Sequence, residues 1–162
     1  MRVFITGSNG FIGKNLVTHL NEREDIEVIC FNKESNTNKL VDSLKNIDFV
    51  FHLAGVNRPK NLSEFQDGNV NFTKTLVNAI EKSNSKTSII YTSSIQAELD
   101  NDYGRSKKEA ESILLKLNSI NKTRVGIYRL PNIFGKWARP NYNSVIATFC
   151  HNIANSLPIK IN

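Results

Sequence analysis

Gly7-Ser8-Asn9-Gly10-Phe11-Ile12-Gly13 follows directly on the short apolar run Arg2–Thr6, and Ile12, Leu16 and Leu20 then recur at helical spacing. Strand, glycine turn and helix in that order are the context in which a glycine pattern binds a dinucleotide. Gly7 permits a tight turn, Gly10 lets the backbone approach a pyrophosphate at a helix N-terminus, and Gly13 allows close packing of the helix. The turn residues Ser8, Asn9, Phe11 and Ile12 complete the candidate cofactor cradle. The spacing is G-x-x-G-x-x-G rather than G-x-G-x-x-G.

Outward from that turn, the pattern alternates between strands and helices. Strands are predicted at Glu27–Phe31, 48–53, 88–92 and 123–129, and helices at 38–46, 62–83, from Tyr103 to Leu117, and around Ile146, Phe149, Ile153 and Leu157 with Asn143 or Ser144 as cap. The connection after the second strand is too brief for the usual third strand. The alternation predicts an α/β chain, a Rossmann-type doubly wound parallel sheet with helices on both faces. Residues 1–135 read as the dinucleotide-binding domain and 136–162 as the start of a substrate-binding part.

The second strand ends in Phe31-Asn32-Lys33, where an Asp or Glu would take the ribose 2′-hydroxyl of NAD. No carboxylate stands there to repel a 2′-phosphate, and Lys33 could pair with one, so NADP(H) is preferred and NAD(H) remains open. Leu53-Ala54-Gly55 closes the next strand with small residues against which an adenosine can lie. Asn57 and Arg58 follow in a loop at the strand's C-terminal end, where ligands bind in such sheets. His52 reads as a satisfied core histidine, because no second ligand shares a metal spacing with it.

Tyr103 and Lys107 stand one helical turn apart on one face. An ammonium within ~4–6 Å favours phenolate and lowers a tyrosine pKa by roughly 1–3 units, which would make a general acid/base. The stripe continues through Ala110, Leu114 and Leu117, so Tyr103 also reads as the first core residue of that helix. Ser93 and Ser94 look like turn formers after the fourth strand. With the Tyr/Lys pair nearby, Ser94, the later of the two, becomes the candidate hydroxyl for a substrate carbonyl.

Of the 162 residues, 40% are apolar and 22% charged, which suits one globular domain; no apolar run approaches the length of a membrane span. A net charge of +6 is scattered, without the basic stripe and interleaved aromatics of a nucleic-acid binder. Cys30 and Cys150 suggest neither a disulfide framework nor a metal site, and a reducing cytoplasm is expected.

Together these motifs resemble the extended short-chain dehydrogenase/reductases that act on nucleotide sugars, the NAD-dependent epimerase/dehydratase family. His-Leu-Ala-Gly-Val-Asn-Arg-Pro from His52, Ser-Ser-Ile-Gln-Ala from Ser93, Pro-Asn-Ile-Phe-Gly-Lys-Trp from Pro131 and the run from Pro140 to Cys150 are similar to one branch of it. That branch reduces the C4 ketone of a UDP-linked 2-acetamido-2,6-dideoxy-hexos-4-ulose with NADPH, for capsular polysaccharide precursors. The resemblance implies that Tyr103 protonates the ketone oxygen and that Lys107 tunes Tyr103 and holds the nicotinamide ribose. It also implies that Ser94 orients the carbonyl and that Asn132, in the Arg-x-x-Asn pattern from Arg129, touches the sugar nucleotide.

Family members continue into a fuller sugar-binding segment and, in that branch, a metal-binding cupin domain. The chain is therefore expected to carry a formed cofactor half and an unfinished substrate half. Homo-oligomers are implied through the helices at 62–83 and 103–117. Ile95-Gln96 replace the carboxyl pair that 4,6-dehydratases use, which favours reduction over elimination. A UDP-sugar 4-epimerase with bound NAD and a non-catalytic dinucleotide-binding module are the alternative readings.

Overall fold

A computed structural model describes the chain except Lys86, Lys122 and Asn162, and describes Ile120 and Asn121 by backbone alone. Asn162, the last residue of the 136–162 segment, therefore lies outside the described residues. Strands β1 (Arg2–Thr6), β2 (Glu27–Phe31), β3 (Phe49–His52), β4 (Ser88–Ser94) and β5 (Val125–Leu130) form one sheet in the order β2-β1-β3-β4-β5. All four pairings are parallel. The parallel doubly wound prediction is met, and the brief link after β2 holds only a 3₁₀ turn, Thr37–Lys39, and the short helix α2 (Leu40–Ser43).

The central strands are apolar on both faces because helices cover both. Val3, Phe4, Ile5 and Val50 are fully buried, and Leu76, Ala110 and Leu114 from the covering helices share one core with Phe4 and Val50. Those helices are α1 (Phe11–Leu20), α4 (Phe72–Ser83) and α5 (Asp102–Asn121).

Four expectations need correction. The predicted 38–46 helix shrinks to α2 behind a 3₁₀ turn capped by Asn36, and Leu40 and Leu44 are buried. The predicted 62–83 helix is broken into α3 (Ser63–Phe65), a π-helical turn over Gln66–Asn71, and α4. Ser93 and Ser94 belong to β4, since β5 lies alongside and pairs them with Arg129 and Leu130. The last helix, α6 (Val145–Ala154), is capped by Ser144, whose Oγ accepts from the Ala147 N–H at 3.2 Å. Its apolar stripe is not core: Ile146 and Ile153 are exposed, as is Leu157 beyond the helix end.

Candidate active site

The functional candidates gather at the C-terminal ends of β1, β3 and β4. Gly7 has φ +69, a left-handed backbone that glycine adopts without strain, and its N–H donates to the Phe31 carbonyl at 2.8 Å. A Cβ on Gly7 would lie 2.7 Å from the Ala54 nitrogen, so the turn packs against the end of β3. A Cβ on Gly13 would come within 2.2 Å of the Gly7 carbonyl oxygen. Gly13 therefore seats α1 on the glycine turn itself.

α1 starts at the N-cap Gly10 with no side-chain cap and no acidic residue in its first turn. Its first N–H groups and the positive end of the helix dipole are available to an anion. Ser8 is 4% exposed and its Oγ lacks a partner among the described residues, a buried hydroxyl inside the turn. These features fit the pyrophosphate of a dinucleotide. Asn32 and Lys33 follow β2 directly; Asn32 Oδ1 accepts from the Glu34 N–H at 3.0 Å, and Lys33 is exposed.

β3 ends on His52, whose ring nitrogens meet Thr6 Oγ1 at 2.8 Å and Thr73 Oγ1 at 2.9 Å. It is the core histidine the sequence suggested. Complete burial, with a smaller effect of Lys107, lowers its pKa to about 3. Beyond it, the Leu53 and Ala54 N–H groups bond to Thr6, and a Cβ on Gly55 would lie 3.1 Å from Lys107 Nζ. The small residues after β3 thus connect the glycine turn to the lysine.

The Ser94 hydroxyl lies close enough to the Tyr103 phenol to act on its ionisation, while its Oγ accepts from the Gln96 N–H at 3.2 Å. Ser93, the other candidate, donates instead to Glu111 Oε1 at 2.5 Å and is turned away from the phenol. Tyr103 is half-buried and its ring packs on Phe65 at 5.7 Å. Lys107, 5% exposed, donates to the Thr92 carbonyl at 2.9 Å and sits 4.7 Å from the Tyr91 ring centroid. The expected lowering of the phenol pKa by Lys107 is not what the protein shows. Burial raises Tyr103 above its ordinary value, and Ser94 opposes that rise. Burial also lowers Lys107 to about 8, against the pull of Glu111. The reason is direction: the ammonium faces a strand carbonyl and an aromatic ring.

Asn57 and Arg58 are joined by a residue that sequence reasoning passed over. Tyr142 donates to Asn57 Oδ1 at 2.9 Å, and the Arg58 guanidinium lies 5.0 Å from its ring centroid. The segment after β5 also docks on α1, where Asn15 Nδ2 donates to the Lys136 carbonyl at 2.8 Å. Asn132 is exposed just past β5. Two more missed residues are Asn69 and Glu111. Asn69, buried in the π-helical turn, accepts from the Val56 N–H at 2.8 Å and donates to the Val56 carbonyl and Ser106 Oγ. Its signal was an asparagine inside an otherwise helical pattern; that of Glu111 was its place one turn beyond Lys107.

The profile of the NAD dependent epimerase/dehydratase family matches residues 3–162. The chain is 52% identical over its whole length to a UDP-2-acetamido-2,6-beta-L-arabino-hexul-4-ose reductase of Pseudomonas aeruginosa, covering 44% of that protein. Its fold matches that of the capsular polysaccharide assembling protein CapF from Staphylococcus aureus with a TM-score of 0.87 and 42% identity. It covers 100% of this chain and 44% of that one. A UDP-glucuronic acid 4-epimerase from Bacillus cereus in complex with NAD shares the fold at TM-score 0.83 and 18% identity, over 99% of this chain and 66% of that one. The chain thus spans less than half the length of its two nearer relatives named here.

Proposed function

The chain belongs to the NAD dependent epimerase/dehydratase family, and from that premise we propose that it forms the cofactor-binding and acid/base part of an NADPH-dependent reductase. Its substrate is the C4 ketone of a UDP-linked 2-acetamido-2,6-dideoxy-hexos-4-ulose. The observation that carries this is the Ser94–Tyr103 pair beside buried Lys107, next to the glycine turn. The likeness to the Pseudomonas reductase supports the substrate class.

When bound, the dinucleotide supplies the hydride that reaches the carbonyl carbon. Reduction of a ketone then needs one proton on oxygen, and Tyr103 gives it. Burial keeps that phenol protonated at neutral pH, which is the form a proton donor needs. Ser94 donates to the same oxygen and orients it. After transfer, the charge left on the phenol is offset by the Ser94 hydroxyl, and Lys107 holds the nicotinamide ribose. Elimination would need a second acid/base pair, yet Ile95 and Gln96 follow Ser94, and the nearby Glu98 carboxylate is held by Arg129 at 2.7 Å.

Gly7 to Gly13, Asn32, Lys33 and Leu53 to Gly55 hold the dinucleotide, NADP(H) ahead of NAD(H), while Asn57, Arg58 and Asn132 face the sugar nucleotide. Residues 1–135 make up the dinucleotide domain and 136–162 open the substrate part. We place the protein in the cytoplasm as a homo-oligomer. No helix among the described residues is long and apolar enough to cross a membrane.

The test is NADPH oxidation with a UDP-4-keto sugar, wild type beside Tyr103→Phe, together with NADPH binding followed by fluorescence. We expect binding in both and a rate lower by about 10²–10⁴ in the variant. Equal rates would remove Tyr103 from the reaction. Binding without turnover in either would leave a dinucleotide-binding module.

A further inference from the structure

The face of α5 that carries Tyr103 and Lys107 has a third polar member. Tyr103, Lys107 and Glu111 follow one another at four-residue spacing and meet three consecutive residues of β4. Lys107 donates to the Thr92 carbonyl, Glu111 accepts from Ser93 Oγ, and Ser94 acts on Tyr103. Helix and strand are joined along one line by the residues that do the proposed chemistry and by one that does not touch it.

Glu111 is 4% exposed. A buried carboxylate survives only when its oxygens are paired. Ser93 and Arg129 Nε share Oε1, at 2.5 and 3.0 Å, and Arg129 Nη2 takes Oε2 at 2.7 Å. Ser93 and Arg129 are register partners across β4 and β5, so the sheet itself presents both donors to the helix. Although burial works against it, these bonds hold the carboxyl below its usual range. Arg129 also donates to Glu98 at 2.7 Å on the 3₁₀ turn between β4 and α5.

Lys107, 5% exposed, is an ammonium in a dry setting. The titratable groups that act on it are few among the described residues. His52 faces it from β3 and Tyr91 from β4, while Tyr103 and Glu111 share its helix, and Arg129 of β5 stands behind Glu111. Of these only Glu111 is anionic at neutral pH.

We propose that Glu111 is a positioning residue for Lys107: clamped by Ser93 and Arg129, its carboxylate keeps the ammonium charged and seated on the Thr92 carbonyl beside Tyr103. The role assigned to Lys107 rests on the reductase reading; the charge relation between Glu111 and Lys107 does not.

Side-chain NMR of the chain labelled at lysine Cε reads that relation without substrate, with the Lys107 signal identified by its loss in Lys107→Met. The wild-type signal should titrate at about 8. In Glu111→Gln, which retains shape and an acceptor for Ser93, the midpoint should fall by about one unit, a tenfold change in proton affinity. Glu111→Asp should restore it, and Glu98→Gln, which removes the exposed arm of the same arginine, should leave it unmoved. A merely structural role for Glu111 predicts the opposite sign, since loosened packing admits water and lifts the lysine toward its ordinary value. A midpoint unchanged or raised in Glu111→Gln overturns the proposal. If that variant does not fold, Arg129→Gln decides: the competing cation is gone, and the midpoint should rise; an unchanged or lowered one overturns the proposal. Failure of this titration leaves the reductase reading standing, and absence of turnover leaves the titration valid.

Discussion

His52 illustrates how a single buried residue sets a property of the whole protein. Both ring nitrogens are bonded to threonine hydroxyls in a fully buried site. The folded pKa, about 3, lies below the ordinary 6.5. Between those values the unfolded chain binds a proton that the folded one excludes, so stability rises with pH across the window and is lost as acid is added. The effect is on the order of 5 kcal/mol. Chemical denaturation between pH ~3 and ~7 should show this slope in the wild type and a shallower one in His52→Gln. Parallel curves for the two proteins would show that another group carries it. At the β2 edge of the sheet, Lys33 tests the cofactor preference. It is exposed and makes no ion pair among the described residues. A charge-assisted bond to a 2′-phosphate is worth about 1.5–3 kcal/mol, so Lys33→Ala should weaken NADPH binding about tenfold or more and leave NADH nearly untouched. Equal weakening of both would place Lys33 away from the 2′-phosphate.

At the scale of elements, the π-helical turn over Gln66–Asn71 is the departure with a clear cause. Within that turn, the Asn69 side chain satisfies both the N–H and the carbonyl of Val56, and the same amide reaches Ser106 on α5. π-bulges of this kind are frequent at functional sites. Asn69 holds the loop that follows Gly55 against the helix of Tyr103 and Lys107. Asn69→Ala would strand those groups at about 1–3 kcal/mol each, and the urea midpoint should fall accordingly. An unchanged midpoint would mean that water replaces the amide and that the turn has another cause. β4 is the second such case. Two serines that locally resemble a turn extend the strand because β5 supplies their ladder partners, and that extension separates Ser94 from Ser93 by face.

For the whole molecule, sheet order ranks the strands. β1, β3 and β4 are interior, while β2 and β5 lie at the edges of the described sheet. Interior strands are paired on both sides and bury residues such as Val3, Ile5 and Ile89, so their amides should exchange slowest with solvent. Stronger protection in β5 than in β1 would contradict the sheet order.

What the amino-acid sequence determined by itself is whatever depends on neighbours along the chain. β1 and β2 begin and end where the pattern places them, because each is a short apolar run closed by turn residues. Gly7 takes its positive φ because the turn demands it locally. The Tyr103–Lys107 face follows from helical period alone. What only the tertiary structure decided depends on partners distant in sequence. Order along the chain preferred Ser94 to Ser93, but that Ser93 is engaged by Glu111 depends on the fold. Lys107 turned to Thr92 and Tyr91, and Tyr103 rose in pKa, because burial acts through the surrounding fold and spacing on one helix carries no record of it. The apolar stripe of α6 makes the same point in reverse, since periodicity announces a face to be covered and only packing says what covers it.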